Sequence, residues 1–321
     1  MSNNVTISKL IFFNHWRNGD CFIGKEYVRE IINTIRVPAY YAHNNHESVT
    51  QDLPCELMRI DDMKLQLGHG NKIVYDPEEQ ACYINTWVGA FLGTYFNPGN
   101  HANFVILNKI WRDYYKALNI PMVDKDAYYQ YLPKINFNAY DLTSAKEWIQ
   151  KQDRKYIVVI SNGRQQSDQS DVGDMEIAID IVTDRFKNIA FLICDKVNDK
   201  NNVTMRKDNI TYSSDIFNST VGNLPHISYI THFANLIVGK NSGPFSFAHT
   251  HDNLTDPNKI FLCFSRNKQD CLTGEGKYVA PTLFSNSIFE RGIADMISYK
   301  INSIGKNITL DRKYIQDVYN S

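Results

Sequence analysis

The stretch FFNHWRNGDCFIGKEYVREI, residues 12–31, starts inside an apolar run, passes through a polar segment around Gly19 and continues as an amphipathic segment. The apolar run over 8–13 is typical of a buried parallel strand. The spacing of apolar residues over 21–35 predicts a helix with one apolar face. The stretch therefore predicts a strand, a polar turn and a helix, and in open parallel sheets such turns lie at the edge where ligands bind.

The alternation of strand and helix occurs twice along the chain. In the first half, strands are predicted over 37–44, 73–76 and 81–89, and a helix over 101–119. In the second half, strands are predicted over 156–161, 188–195, 259–265 and within 209–217, helices over 175–186 and 224–234, and a strand, a turn and a helix over 235–249. Two more helical segments are predicted around 284–300 and 311–319. This pattern predicts an α/β fold with two parallel α/β layers.

The pattern lapses over 121–155, which predicts a boundary there. We expect an N-terminal domain over 1–150 and a C-terminal domain over 151–321, with a linker helix over 144–155.

The composition is that of a soluble globular protein of near-neutral charge. The 321 residues include 34 Lys and Arg against 35 Asp and Glu, so no basic excess exists to neutralise a phosphate backbone, and a dedicated nucleic-acid-binding role is disfavoured. The six cysteines form no Cys-x-x-Cys pair, and the N-terminal segment lacks the apolar core of a signal peptide. No apolar run approaches the roughly 20 residues of a membrane span. We therefore expect a cytoplasmic protein with free thiols.

The first turn gathers five polar side chains where the strand passes into the helix: Asn14, His15, Arg17, Asn18 and Asp20. Gly19 would let backbone approach a ligand closely. Asp20 has two interpretations, either a helix cap that is favourable to the helix dipole or a carboxylate aimed into a cleft. A cap alone does not require so many polar side chains.

The second turn, VVISNGRQQSDQS, follows the clearest strand of the sequence. It places Ser161, Asn162, Gly163 and Arg164 at the corresponding edge of the second layer. Small residues expose backbone N–H groups, and Arg164 could fork onto a phosphate. The alternative is an ordinary loop with a surface arginine. The turn contains neither a P-loop nor the Gly-x-Gly-x-x-Gly of a dinucleotide fold.

The third turn, IVGKNSGPFSFAHTHDN, combines capping residues with small residues before a predicted helix. Pro244 suits a first helical turn, and the N–H groups of such a turn can bind an anion. The residues that cap the helix, leave room for a diphosphate or add positive charge are Lys240, Asn241, Ser242, Gly243 and Ser246. The alternative is a well-capped helix that only packs on the sheet.

Histidines near this turn raise the question of a metal site. His249 and His251 do not share a helix face at this spacing, although neighbouring Asp252 could be a third ligand. We expect a polar helix end here and no metal. His43 and His46 are expected to be loop residues.

Two of these turns together resemble those of the heptosyltransferase-like glycosyltransferases. In that family a Gly-Asp motif follows the first strand, and NGDCFI stands in that place here. The family also has an Asp-Thr-Gly segment that starts a late helix, and Asn241-Ser242-Gly243 occupies that position in VGKNSGPFSFAH. The resemblance implies a GT-B architecture, in which two Rossmann-like domains face a central cleft and the last helix packs back on the N-terminal domain.

The resemblance also implies roles for the three turns. Asp20 matches the family's catalytic aspartate. The acceptor is expected to contact Asn14, His15, Arg17, Asn18 and Gly19. The donor is expected to contact Ser161, Asn162, Gly163, Arg164, Lys240, Asn241, Ser242, Gly243 and Ser246. Asn241 replaces the family's usual Asp, and Phe247 stands where the family often has His or Leu, so the donor need not be a heptose nucleotide.

The implied activity is the metal-independent, inverting transfer of a sugar from a nucleoside-diphosphate sugar to a glycan or lipid-linked glycan. No cofactor and no nucleic acid partner are expected, and peripheral association with a membrane is compatible with this role. Bacterial surface polysaccharide synthesis is the expected setting.

Other functions stay open on the sequence alone. One alternative is a sugar-nucleotide epimerase or hydrolase of the same architecture, and another is an inactive chain that serves as an interaction subunit. A two-lobed binding protein of the periplasmic type is disfavoured by the missing signal peptide and the free cysteines. A DNA glycosyltransferase of the phage type is disfavoured by the neutral charge.

Overall fold

The structure is a computed structural model, and it describes residues 6–15, 18–44, 47–88, 104–121, 128–162, 175–194, 207–217, 224–240, 243–266 and 278–304. The strands of these residues are β1 (Lys9–Asn14), β2 (Ala39–His43), β3 (Glu56–Met58), β4 (Ile73–Asp76), β5 (Ala81–Asn85), β6 (Tyr156–Ser161), β7 (Ile189–Ile193), β8 (Ile210–Tyr212), β9 (Leu236–Lys240), β10 (Ile260–Phe264) and β11 (Thr282–Ser285). The helices are α1 (Asn18–Ile23), α2 (Lys25–Ile35), α3 (Glu47–Thr50), α4 (Phe104–Ala117), α5 (Thr143–Gln150), α6 (Glu176–Arg185), α7 (Ser213–Ile216), α8 (Leu224–Thr231), α9 (Gly243–Ser246), α10 (His251–Thr255) and α11 (Glu290–Ile301).

The first sheet has the strand order β3-β2-β1-β5-β4. β1 pairs in parallel with β2 and β5, as its apolar run predicted. β4 pairs with β5 in the antiparallel sense, so the prediction of a wholly parallel first layer is wrong at this edge. The reason is the short connection, because residues 77–80 alone join the two strands and a parallel pair needs a crossover of roughly a dozen residues or more.

The second sheet is parallel throughout and has the order β11-β10-β9-β6-β7-β8. From β6 the chain adds β7 and β8 on one side, then crosses over to add β9, β10 and β11 on the other. This is the strand order of a doubly wound, dinucleotide-type sheet. Ser161 of β6 lies opposite Gly239 of β9. The strand order thus reverses between β6 and β9, and the loops that follow these strands open onto the same crevice.

Successive side chains of a strand point to opposite faces of the sheet, so alternate residues of the central strands belong to different buried clusters. In β1, Leu10 and Phe12 belong to one buried cluster, whereas Ile11 and Phe13 belong to another. Val159 of β6 lies in the same cluster as Leu10 and Phe12. One buried cluster therefore continues from the first sheet to the second. We call residues 6–121 the first lobe, residues 128–142 the connecting segment and residues 143–304 the second lobe.

Two helix predictions need correction. The helix predicted over 21–35 is two helices that meet at Gly24, where an added Cβ would lie 3.2 Å from the Trp111 ring. Gly24 thus allows close packing against α4. The segment predicted as helical around 284–300 begins within strand β11, which pairs in parallel with β10, and only α11 is helical. The helix predicted over 311–319 lies outside the described residues.

A helix is present in the predicted linker region, and it lies against the second lobe. Trp148 of α5 donates its Nε1–H to Thr211 Oγ1 at 3.1 Å, next to the edge strand β8. The domain boundary at residue 150 stays a prediction. Within the described part of the chain, none of the helices combines the length and the apolar character needed to cross a bilayer.

Candidate active site

A buried hydrogen-bond cluster around Thr86 holds the carboxyl edge of the first sheet. Asn14 Nδ2 donates to Thr86 Oγ1 at 3.2 Å, and the Tyr41 hydroxyl lies 2.7 Å from the same oxygen. Asn14 was predicted to contact the acceptor, but its side chain is fully buried, at 0% exposure. Asn14 therefore fixes the end of β1 beneath the first turn.

Asp20 lies in the first turn of α1. Because α1 begins at Asn18, Asp20 is inside the helix and not at its N-cap, so the cap interpretation is wrong in its strict sense. A carboxylate in this turn still interacts favourably with the helix dipole. Asp20 is half-buried. Burial raises the pKa of the adjacent Cys21 thiol to about 12, and the Asp20 carboxyl adds to that rise, so Cys21 is protonated at neutral pH and is not a nucleophile.

Gly19 brings this turn against the second lobe. A Cβ added to Gly19 would lie 3.8 Å from Ser246 Oγ. Nearby, the Phe22 ring stacks on the Phe247 ring, with centroids 4.3 Å apart. Asn18 Oδ1 is buried and accepts no hydrogen bond from the described residues. Helix α1 of the first lobe therefore contacts α9 and the residue that follows it in the second lobe.

The carboxyl edge of the second sheet presents small residues and backbone. Ser161 is buried at the end of β6, and Asn162 Oδ1 accepts a hydrogen bond from the Met175 N–H at 3.0 Å, which ties this loop to the start of α6. On the neighbouring strand, a Cβ added to Gly239 would lie 2.5 Å from Cδ2 of Phe245. Only a glycine lets α9 lie this close to β9. Lys240 ends β9 and is buried.

The helix predicted after the third turn is shorter than expected. Gly243 begins α9, which is a single turn, and α10 starts separately with Thr250 as its N-cap. One helical turn has little dipole to offer an anion, so the predicted helix N-terminus contributes less than expected. Five of the predicted site residues lie outside the described residues: Arg17, Gly163, Arg164, Asn241 and Ser242.

His249 is a core residue. Its ring lies 4.7 Å from the Phe245 ring and 5.0 Å from the Phe261 ring, and its Nδ1 bonds to the Phe245 carbonyl oxygen at 2.8 Å. Burial lowers the pKa of His249 to about 4, so the ring is neutral at physiological pH. His251 instead lies at the start of α10 and contacts Asp252 at 3.1 Å. Among the described side chains, no group of three His, Cys, Asp or Glu is placed to hold a metal ion.

Sequence reasoning missed two residues at the carboxyl edge of the first sheet, His69 and Trp87. The His69 ring lies 4.8 Å from the ring of His15 and 5.0 Å from that of Trp87. Two signals were available. Trp87 follows β5 at the edge where ligands bind, and His69 stands between Gly68 and Gly70, as in an exposed turn.

The architecture has counterparts among solved structures. The glycosyl transferase family 9 protein from Veillonella parvula DSM 2008 matches with a TM-score of 0.53 over 98% of this chain and 96% of its own, at 10% identity. The E. coli heptosyltransferase WaaC with ADP matches with a TM-score of 0.51 over 92% of this chain and 100% of its own, at 11% identity. The same enzyme with ADP-2-deoxy-2-fluoro heptose matches with a TM-score of 0.51 over 92% and 99%, at 10% identity. No protein-family model and no curated protein matches the sequence.

The chain has the GT-B fold of the heptosyltransferase-like glycosyltransferases. The resemblance stated from two turns of the sequence is thus confirmed at the level of the fold. Because the sequence identity is only 10% to 11%, the similarity shows the architecture alone. The roles of individual residues therefore rest on the geometry of this chain.

In this GT-B fold, a buried ion pair fixes the connecting segment to the first lobe. Lys25 Nζ pairs with the Asp52 carboxylate, and both side chains are almost wholly buried. Asp52 also accepts hydrogen bonds from the Asn136 N–H at 3.0 Å and the Tyr140 hydroxyl at 2.9 Å. Burial alone would raise the pKa of Asp52, but Lys25 and these donors hold it below its usual range.

Aromatic contacts fix the same segment to the second lobe. The Phe137 ring lies 5.3 Å from the Tyr229 ring and 5.0 Å from the His232 ring. The His251 N–H also donates to the Pro133 carbonyl at 2.8 Å. The connecting segment thereby sets how the Gly19 and Ser246 turns meet.

Proposed function

We propose that this chain is a glycosyltransferase that moves a sugar from a nucleoside-diphosphate sugar to a hydroxyl of a glycan or lipid-linked glycan. Asp20 acts as the general base, the anomeric centre is inverted, and no metal is required. The first lobe binds the acceptor and the second lobe binds the donor. We further propose a cytoplasmic enzyme of bacterial surface polysaccharide synthesis.

The observation that carries the proposal is the contact between the Gly-Asp turn and α9. A Cβ on Gly19 would come within 3.8 Å of Ser246 Oγ, and Asp20 is the next residue. A transferase needs a proton acceptor on one lobe close to the donor site on the other, because the acceptor oxygen must attack the anomeric carbon in line with the leaving group.

The strand order of the second sheet supports a donor site at β6 and β9. The order reverses between these strands, and ligands of doubly wound sheets bind in the crevice at that point. Ser161 and Gly239, two small residues, are neighbours in register near the ends of these strands. Lys240, at the end of β9, places positive charge on the same strand end.

The chemistry divides between the lobes. The Asp20 carboxylate accepts the proton of the acceptor hydroxyl as its oxygen bonds to the anomeric carbon, and the bond from that carbon to the diphosphate oxygen breaks. General-base help of this kind is worth roughly 10²–10⁴-fold in rate. The diphosphate gains negative charge as it leaves, and fixed N–H donors and cations on the second lobe stabilise that charge.

The test is the variant Asp20→Asn. It keeps the size of the side chain and removes its basicity, so we expect nucleoside diphosphates to stabilise it against heat as they stabilise the wild type, while transfer falls by at least about 10²-fold. Transfer is measured as nucleoside diphosphate released from a panel of sugar nucleotides in the presence of oligosaccharides. Asp61→Asn, which removes an exposed carboxylate of the first lobe, is the matched control. Unchanged turnover in Asp20→Asn would remove Asp20 from the proposed role.

Product analysis separates the proposal from its rivals. A transferase yields an elongated acceptor with the opposite anomeric configuration, a hydrolase yields free sugar, and an epimerase returns an altered sugar nucleotide. Activity that persists in excess chelator supports metal independence, and its loss would contradict that part of the proposal.

A further inference from the structure

Three rings line the carboxyl edge of the first sheet in a continuous row. His15 and His69 meet edge to face with an interplanar angle of 74°, and His69 and Trp87 meet in the same way at 80°. His69 is exposed, whereas His15 and Trp87 are partly exposed. The proposed chemistry at Asp20 does not use His69 or Trp87.

A single buried amide fixes the backbone of both residues. Asn85 Nδ2 donates to the His69 carbonyl at 3.0 Å, and Asn85 Oδ1 accepts from the Trp87 N–H at 2.9 Å. Asn85 itself has 0% exposure. The spacing between His69 and Trp87 is therefore set by the rigid end of β5 and not by a free loop.

His15 holds the same loop from the other strand. His15 Nε2 lies 2.7 Å from the Leu67 carbonyl oxygen, so Nε2 carries the hydrogen and donates it. This contact makes His15 a positioning residue for His69. The loop is also open around the ring, because a Cβ added to Gly68 or Gly70 would meet no atom within 4 Å. Polar side chains thus support the loop from below while His69 faces solvent.

We propose that His69 and Trp87 form an L-shaped platform in which the ring of an uncharged pyranose sugar in the acceptor stacks on the Trp87 indole and touches the His69 ring, which is nearly perpendicular to it. The proposal rests on the proposed function, which assigns the acceptor to the first lobe. One face of a pyranose carries mainly C–H groups, whose positive hydrogens suit the negative face of an aromatic ring. A sugar bound on this row lies near the helix turn that carries Asp20, because His15 directly follows β1 and Asp20 is in the first turn of the next helix, α1.

The rings of the row suit a neutral sugar. The row offers an indole and two imidazoles. By contrast, the cluster of Lys109, Arg112 and Lys116 lies along α4, where it lines a groove with Asp113. A phosphorylated or acidic sugar would be expected at such a cluster of cations, whereas ring stacking selects shape and an apolar face.

The experiment measures sugar binding to the full chain by saturation-transfer NMR and by titration. The probes are methyl glycosides of galactose, glucose and mannose, with glucuronic acid and glucose 6-phosphate as anionic counterparts. We expect at least one neutral glycoside to bind, with the strongest saturation on the hydrogens of one ring face. His69→Ala and Trp87→Ala should each weaken that binding by about tenfold, as loss of an aromatic stacking partner does elsewhere, and Trp87→Phe should restore most of it.

Two controls keep the result specific. Phe289→Ala removes an exposed aromatic ring from the second lobe and should leave sugar binding unchanged. Binding of nucleoside diphosphates should be unchanged in His69→Ala and Trp87→Ala. Because His69 is exposed, its alanine variant is expected to fold even if Trp87→Ala does not.

Several outcomes overturn the platform. They are the absence of binding by every neutral glycoside, a preference for the anionic sugars, and neutral binding that survives both alanine variants. Loss of nucleotide binding in a Trp87→Ala variant that keeps the circular dichroism of the wild type also overturns it, because the ring would then stack on the nucleobase. Failure of the proposed function looks different, since then no nucleoside diphosphate binds the wild type, whereas the glycoside titration still decides the platform.

Discussion

The carboxyl edges of the two sheets are built in opposite ways. The edge of the first sheet is rich in side chains, where Asn85 and His15 hold His69 and Trp87 through hydrogen bonds to backbone. At the edge of the second sheet, Ser161 and Gly239 are neighbours, and Phe245 packs where a side chain on Gly239 would stand. One edge is lined by partly exposed rings, and at the other a helix packs closely on small residues of the strands.

This difference matches what each proposed substrate demands. A diphosphate is recognised by backbone N–H groups and cations at close range, so the second lobe benefits from residues without bulk. An acceptor sugar offers hydroxyls and an apolar ring face, so the first lobe benefits from aromatic and amide side chains. The two edges would therefore be expected to respond differently to substitution.

The largest effect is expected where the first lobe relies on a buried ion pair. Asp52→Asn removes the charge that balances Lys25, and an unpaired buried ammonium costs about 3–5 kcal/mol of the free energy of unfolding. The loss should appear in urea unfolding monitored by circular dichroism. Because Asn136 and Tyr140 of the connecting segment also bond to Asp52, the variant should loosen that segment, seen as faster amide hydrogen exchange over 134–140.

A double variant shows whether the cost comes from the unpaired charge. Lys25→Met combined with Asp52→Leu removes both charges of the pair and should recover part of the stability that either single change loses, because Arg29, Asn136 and Tyr140 still lose the Asp52 carboxylate. Asp184→Asn, which removes an exposed carboxylate that pairs with Lys187 and Lys207, is the matched control and should change little. If Asp52→Asn proved as mild as Asp184→Asn, the ion pair would not be what holds the connecting segment.

The second prediction concerns His249, the buried histidine of the second lobe. His69 is exposed, whereas His249 is fully buried and its burial lowers the pKa to about 4, below the usual value near 6.5. As the pH falls, the His249 side chain therefore takes up a proton in the unfolded chain at a higher pH than in the folded chain. The stability that neutral His249 contributes is present above pH 6.5 and is lost towards pH 4, by about 3 kcal/mol in total.

The measurement is the free energy of unfolding as a function of pH between 4 and 7. Burial also lowers the pKa of His226 and His232, so the wild type should lose more than the share of His249 alone. His249→Gln should reduce the loss of unfolding free energy between pH 7 and pH 4 by the amount that His249 contributes. His251→Gln, which changes a half-exposed histidine, should show the same loss as the wild type. An unchanged slope in His249→Gln would contradict the burial assigned to this ring.

The local sequence pattern predicts most of the strands that position the candidate site. YIVVIS over 156–161 and IVYD over 73–76 are strands with the predicted bounds, because their apolar runs and flanking turns are unambiguous. β3 has only three residues and β11 only four, so neither forms a run long enough to stand out. The break at Gly24 depends on the Trp111 ring, which is distant in sequence.

The same limit applies to the candidate site. Asp20, Gly19 and Ser246 could be selected from turns that follow strands, because a turn is visible in a local stretch of sequence. Asn85 could not, since its hydrogen bond to the His69 carbonyl forms only when β4 pairs with β5. Contacts between residues far apart in sequence fix the loop at the carboxyl edge of the first sheet, and a local sequence pattern does not predict them.

The smallest predicted effect compares one glycine from each lobe. A Cβ on Gly239 would lie 2.5 Å from Cδ2 and 2.8 Å from Cγ of Phe245, so Gly239→Ala must displace that ring and with it the turn that carries Ser246. Overpacking of this kind costs about 1–3 kcal/mol, and we also expect weaker binding of nucleoside diphosphates. Gly70→Ala, where a Cβ meets no atom within 4 Å, should leave the free energy of unfolding nearly unchanged. Both values come from paired urea titrations with and without nucleotide. If Gly239→Ala lost stability but bound nucleotide normally, then α9 would pack against β9 without forming part of the donor site, and the contrast between the two edges would be one of packing alone.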